Sequence, residues 1–369
     1  MHLPDRWAGA TLALLACCWM ACAAVYAANP VVPAAAARNG YDYYQIGDLQ
    51  APRPAPTEAA LMLKGGGAWN HDAFAWLLAK AGHGHFVVLR ASYADDIQNA
   101  LYHEIGGVTS VQTLVFHSRA AASDPAVLDI VRHADGIFIA GGDQANYVRF
   151  WRGTPLNKAL DEHVAQGKPL GGTSAGLAIL GAYAYGALDG GSIQSAAALA
   201  DPLGASVTLV GDFLHLPYLQ HVITDSHFAA RDRLGRLLAF VARLRDEGHG
   251  EVIGLGIDEG TSLCVDADGV GRVFTVDDGF AWLLQPSGIP RLAPGRPLHE
   301  RGARITGIGT QSRIDMHDFS VQHPAFSTIV DVREGKVVLR DETLPLPPKP
   351  ATAVHSGGKR PPAPLPVRK

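Results

Sequence analysis

Between Ala59 and Ala140, short apolar runs alternate with helix-length segments, and the runs close on small turn residues. Leu61-Met62-Leu63 leads through Gly65-Gly66-Gly67 into a helix reaching about Leu78; Phe86–Leu89, Val111–Phe116 and Gly136–Ala140 repeat the strand pattern. Short apolar runs without polar alternation are strands buried on both faces, which requires a mostly parallel sheet with helices on either side. In such sheets the functional groups collect beyond the carboxyl ends of the strands. Gly65–Gly67, Gly141-Gly142-Asp143-Gln144 and Ser174 would all fall there.

From about Glu251 the pattern turns antiparallel. Val252–Ile257, Ser262–Val265 and Arg272–Val276 are strand-like and separated by Asp/Gly turns. Residues 58–285 have the length of one large α/β domain. Residues 286–344 read as a strand-rich extension, 28–57 as a flexible lead-in, and 345–369 as a Pro-rich disordered tail. Arg6, the apolar stretch Ala8–Ala24 and the small-residue site Val25-Tyr26-Ala27 read as an export signal over residues 1–27. That stretch is a little short for a stable membrane span. Leu14-Leu15-Ala16-Cys17 resembles a lipobox, which would leave a lipid anchor on Cys17 instead. Cys17, Cys18 and Cys22 lie in the signal, so Cys264 is the sole thiol of the exported chain, with no partner for an intramolecular disulfide or a cysteine zinc site. A net charge of −4 gives no electrostatic footprint for nucleic acid.

The segment Gly172-Thr173-Ser174-Ala175-Gly176 has the G-x-S-x-G pattern, in which small residues let a strand turn sharply into a helix and lift a serine oxygen clear of the backbone. Nucleophilic serine chemistry also needs a base, and the histidines cluster in His215, His221 and His227. Asp225 and Ser226 have N-cap chemistry, which would set His227 at the mouth of a helix. Arg231, Arg233 and Arg236 follow, on more than one helical face. A single arginine there reads as a solvated surface residue; three beside a candidate base suggest carboxylate recognition.

Ala140-Gly-Gly-Asp-Gln144, Gly172-Thr-Ser-Ala-Gly176, Asp225-Ser-His-Phe228 with Arg231, Arg233 and Arg236, and Gly254-Leu-Gly-Ile-Asp-Glu259 resemble, in order, the motifs of the S51 serine peptidases, the cyanophycinase and aspartyl dipeptidase family. The resemblance covers roughly residues 59–280. It implies a class I glutamine-amidotransferase-like (flavodoxin-like) α/β fold with C-terminal antiparallel strands and a Ser-His-acid triad. It also implies hydrolysis of cyanophycin, a polyaspartate carrying arginines, or of related β-aspartyl peptides, to β-Asp-Arg dipeptides. Ser174 would be the nucleophile and His227 the base, with Gly141, Gly142 and Ala175 forming the oxyanion hole. Gln144, Asp225, Ser226, Arg231, Arg233 and Arg236 match substrate-binding positions, although Ser226 stands where cyanophycinases usually carry Gln. For the acid, Asp189 sits at the dipeptidase-like spacing and Asp201 is the other candidate. No metal or organic cofactor is implied, and a homodimer is the default oligomer.

Three other readings compete. His215, His221, Asp225 and His227 could hold a divalent metal, but they lack an H-E-x-x-H spacing. A non-catalytic binding protein could use the same fold. A dinucleotide enzyme fits least, because Asn70 occupies the third glycine position of a G-x-G-x-x-G.

Overall fold

The structure is a computed structural model and describes residues 40–92, 97–288, 290–341 and 346–347. The expected export signal, Cys17 and all but two residues of the 345–369 tail lie outside the described residues. The first six strands are β1 (Tyr41–Gly47), β2 (Ala60–Lys64), β3 (His85–Arg90), β4 (Ser110–Phe116), β5 (Gly136–Ile139) and β6 (Leu170–Thr173). Strands β2 to β6 are parallel and lie in the order β4-β3-β5-β6-β2. Counted from β3, this is the 2-1-3-4-5 order of a flavodoxin-like sheet with β2 in fifth place.

Alternation along each strand distributes the apolar side chains to two cores, as a pleat of period two requires. Leu61, Leu63, Val87, Leu89, Ile137 and Ile139 pack with Val127, Val131, Leu156 and Leu160 of the helices Pro125–His133 and Pro155–Ala165. Met62, Phe86, Val88 and Phe138 pack on the opposite face with Phe74, Leu77 and Leu78 of the helix His71–Lys80. Each helix start is set by a side-chain cap: Asn70, Asp124 and Thr154 accept from Ala73, Ala126 and Asn157 backbone N–H groups. Such caps are worth about 1 kcal/mol each. Asn70 therefore caps a helix at the position where a dinucleotide site would have its third glycine.

The expected flexible lead-in is corrected over its second half. β1 pairs antiparallel with β4 from Tyr41↔Phe116 to Gly47↔Ser110 and covers what would otherwise be an open sheet edge. The half-buried pattern of β1 explains why it carries no strong apolar signal.

The remaining strands are β7 (Tyr183–Tyr185), β8 (Leu209–Gly211), β9 (Val222–Asp225), β10 (Ile253–Ile257), β11 (Thr261–Asp266), β12 (Val270–Thr275), β13 (Ala281–Gln285), β14 (Glu300–Ile308), β15 (Arg313–Asp315), β16 (Ser320–Gln322), β17 (Phe326–Arg333) and β18 (Lys336–Leu339). β11, β12, β15 and β16 continue the first sheet beyond β2. A second sheet runs β18-β17-β14-β13-β10-β9-β7-β8. Residues 286–344 thus add strands to both sheets. Between β10 and β11 the chain changes sheets within Asp258-Glu259-Gly260, where Asp258 accepts from Ala229 N, Phe280 N and Trp282 Nε1 and fixes the corner.

Glu300 opens β14 beside a register shift and is 6% exposed; neither of its carboxyl oxygens has a hydrogen-bond partner among the described residues. Burial pushes its pKa up from 4.5 to about 7, against the pull of Arg245. Because the folded state holds this proton more tightly than the unfolded chain, stability falls as pH rises from about 4.5 to about 7 and stays reduced above. Glu300→Gln should therefore raise stability relative to the parent by about 1–3 kcal/mol at alkaline pH, with the gain vanishing near pH 4. Thermal denaturation at the two pH values measures this.

Candidate active site

Ser174 leaves β6 at φ 54° and ψ −117°, a region that non-glycine residues rarely adopt, and a short helix starts at Ala175. The turn closes only because its flanks lack side chains. A Cβ on Gly176 would lie 2.1 Å from the Ile139 carbonyl oxygen. Strain held at one residue by crowded neighbours presents Ser174 Oγ away from the sheet.

Ser174 Oγ lies 2.7 Å from His227 Nε2, and His227 Nδ1 lies 2.6 Å from Glu259 Oε1. His227 and Glu259 come from the ends of adjacent parallel strands: Gly256 of β10 is opposite Asp225 of β9, so the residues beyond emerge side by side. The turn Gly65–Gly67, at the end of β2, forms the wall behind them. His227 N–H donates to Gly65 O, and Gly260 N–H donates to Gly66 O. A Cβ on Gly66 would sit 2.3 Å from His227 Cε1, and one on Gly67 would sit 2.8 Å from Glu259 Cβ. Both glycines have positive φ, so the imidazole rests against bare backbone.

The expected triad acid is corrected. Asp189 is exposed and bonds to Ser206, and Asp201 Oδ1 accepts from Gly295 N–H, whereas the carboxylate on His227 is Glu259. Burial, together with Arg231 and Arg233, holds the His227 pKa below its usual 6.5, with Glu259 pulling the other way. The ring is thus neutral near pH 7, as a general base must be.

A cavity of about 550 Å³ opens over Ser174. Gly141 and Gly142 line it beside Thr173 and Ser174, and Ala175 begins the helix next to it. The N–H groups of Gly141, Gly142 and Ala175 have no acceptor among the described residues, which suits them to a developing oxyanion. Arg231 is exposed and lines this cavity, along with Lys64, Trp69, Arg90 and Asp143.

The other expected substrate contacts lie elsewhere. Asp225 is buried, its oxygens taken by Arg233 Nη1 at 3.1 Å, Arg236 Nε at 2.7 Å and Arg236 Nη2 at 2.5 Å. Burial alone would raise its pKa, but Arg236 and Arg233 outweigh it and hold the carboxyl low. Arg233 also donates to Ser226 O and Oγ, and Arg236 to Ser192 Oγ and Ile193 O. Asp225, Ser226, Arg233 and Arg236 therefore form a buried brace behind the His227 turn and do not line the cavity. Gln144 is half-buried and donates to Tyr185 O.

The histidine cluster does not converge either. His215 is held by Asp161 and Asp212, His221 is exposed, and Asp225 is committed to arginines. Among the described residues no three His, Cys, Asp or Glu side chains gather as a metal site.

Sequence reasoning quoted the motif ending on Glu259 but missed its place beside His227, and it missed Lys64, Trp69 and Arg90 as cavity-lining residues. Glu259 follows a strand end as Ser174 and His227 do, and that shared placement is the signal that could have found it.

The family model described as Peptidase family S51 matches residues 87–273, half of the chain. A cyanophycinase of Synechococcus elongatus is 36% identical over 191 residues, 51% of this chain and 54% of the relative. The chain thus spans about half the length of that relative. A cyanophycinase of Trichormus variabilis is 25% identical over 299 residues, 77% of this chain and 94% of the relative. A peptidase structure from an acI-B1 Actinobacterium aligns at a TM-score of 0.46 and 16% identity, covering 65% of this chain and 96% of that one.

Glu259→Gln should lower turnover by about 10²–10⁴-fold with the fold intact, while Asp189→Asn should leave it within about twofold. Steady-state kinetics of the pair decides which acid serves His227. Since the base pKa is lowered, the acid limb of kcat/KM should lie below pH 6.5, which a pH–rate profile tests. Asp225→Ala strands two buried guanidinium groups and should cost about 3–5 kcal/mol in chemical denaturation.

Proposed function

Because the chain belongs to peptidase family S51, we propose that it is an exported serine peptidase that hydrolyses cyanophycin or related β-aspartyl peptides, releasing β-Asp-Arg dipeptides. The observation that carries the chemistry is the continuous contact from Ser174 Oγ through the His227 imidazole to Glu259. Ser174 Oγ attacks the scissile carbonyl carbon as His227 Nε2 removes its proton. Negative charge moves to the carbonyl oxygen, toward the Ala175 N–H and that of Gly141 or Gly142. Collapse breaks the C–N bond, and His227 returns the proton to the leaving amine, which leaves an acyl ester on Ser174. Water, deprotonated by the same imidazole, then releases the acid and regenerates the serine. Glu259 orients the ring and stabilises the imidazolium formed in each half.

The cavity's chemistry supports an arginyl-aspartate substrate. Arg231, exposed at the cavity, offers a guanidinium group for a carboxylate. Trp69, 37% exposed at the cavity, offers an indole face and Asp143 a carboxylate for the substrate's own guanidinium. Support for export comes from the sequence Arg6 to Ala27.

Purified mature chain incubated with cyanophycin should release β-Asp-Arg in the presence of EDTA, and Ser174→Ala should reduce release at least about 10³-fold. Release that persists in the variant would remove Ser174 as nucleophile. No release from the polymer, with cleavage of β-aspartyl dipeptides, would move the substrate to the smaller peptides.

A further inference from the structure

Lys64 ends β2, in register with Thr173 of β6 and Ser262 of β11, and its side chain is almost wholly buried. A buried ammonium costs several kcal/mol unless it is answered by charge or hydrogen bonds. No carboxylate lies within ion-pair distance of it among the described residues. Its Nζ donates instead to Gly66 O at 2.7 Å and to Gly67 O at 3.4 Å. Those carbonyls belong to the turn that receives the His227 N–H, backs the imidazole and touches Glu259. The Lys64 carbonyl also accepts from Ser174 N–H. One residue therefore meets the serine turn through its backbone and the histidine wall through its side chain. A methionine would fill the same space without a desolvation cost, so packing alone does not account for a charge here.

We propose that Lys64 is a positioning residue: its ammonium draws the Gly66 and Gly67 carbonyls inward and so fixes the turn that keeps His227 aligned on Ser174 and Glu259. The proposal goes beyond the substrate assignment and rests only on the reading of Ser174 as nucleophile. Around the ammonium stand Glu259 from the corner after β10, Asp277 from the turn after β12, His227 from the turn after β9, and Arg90 and Arg231 lining the same cavity. Burial lowers the Lys64 pKa to about 8, against the attraction of Glu259 and Asp277, so the anchoring charge is present at neutral pH and is lost as pH rises through that value.

The test uses a small fluorophosphonate, which phosphonylates an activated serine and carries no aspartyl or arginyl group. Labelling rates of the unmodified chain, Lys64→Met and Lys64→Arg are compared from about pH 6 to about pH 10, together with kcat and KM on cyanophycin. Lys64→Met should label at least about tenfold more slowly at pH 7, with kcat reduced in step and KM nearly unchanged. Lys64→Arg should recover part of the rate, and labelling of the unmodified chain should decline above about pH 8 while that of Lys64→Met does not. Unchanged labelling in Lys64→Met overturns the proposal; if KM rises as well, Lys64 is a substrate-carboxylate contact. Should Lys64→Met fail to fold, a labelling rate of the unmodified chain that does not fall above about pH 8 is enough to overturn it. Normal labelling without cyanophycin turnover would sink the substrate assignment alone, and no labelling of the unmodified chain removes the nucleophile and this proposal together.

Discussion

A carboxylate taken fully out of water must be answered by charge, and Asp225 is answered by two guanidinium groups at once. Its position gives that pairing its consequences. Asp225 is the last residue of β9, two before His227, and its partners open the helix Leu234–Asp246. The brace fixes where the strand ends, where the helix begins and how the intervening turn is folded, with His227 held at φ 48°. Arg236 extends it to Ser192 and Ile193 and stacks over Tyr185 and Phe240. Three basic residues that look alike in sequence therefore divide between two tasks. Arg233 and Arg236 hold the base in place, and Arg231 faces the cavity.

The site is assembled from strand ends of both sheets. Ser174 and the glycine turn belong to the parallel sheet, while His227 and Glu259 belong to the second sheet, whose β9 and β10 run parallel to each other. The corner Asp258–Gly260, where the chain passes from one sheet to the other, brings the two sets together. Asp258 and Glu259 are neighbours with opposite roles: one is sealed by two backbone N–H groups and an indole N–H, and the other keeps a partly exposed carboxylate for the histidine. Local environment, more than residue type, separates a structural acid from a chemical one.

Glycine does its work here by absence. At Gly66 and Gly176 the neighbouring atoms lie where a Cβ would stand, so the backbone itself becomes the surface against which the imidazole and the serine turn are seated. Such contacts leave few ways to readjust, which is what near-attack geometry requires.

The sequence alone determined the α/β class, the parallel strands with their helices and the serine elbow, because these follow from local periodicity and turn chemistry that neighbouring residues carry. It also pointed to His227, through a motif compact enough to read in one segment. The edge strand Tyr41–Gly47 escaped it, since a half-buried strand has a weak apolar pattern. The identity of the acid escaped it as well: Asp189 and Asp201 are nearer to Ser174 in the chain, but only the parallel pairing of β9 with β10 puts Glu259 against the imidazole. The same holds for Lys64 and for the division among the three arginines. Which charge faces solvent, which is buried and which meets a carbonyl depends on contacts between residues far apart in the chain, and only the tertiary structure decides those.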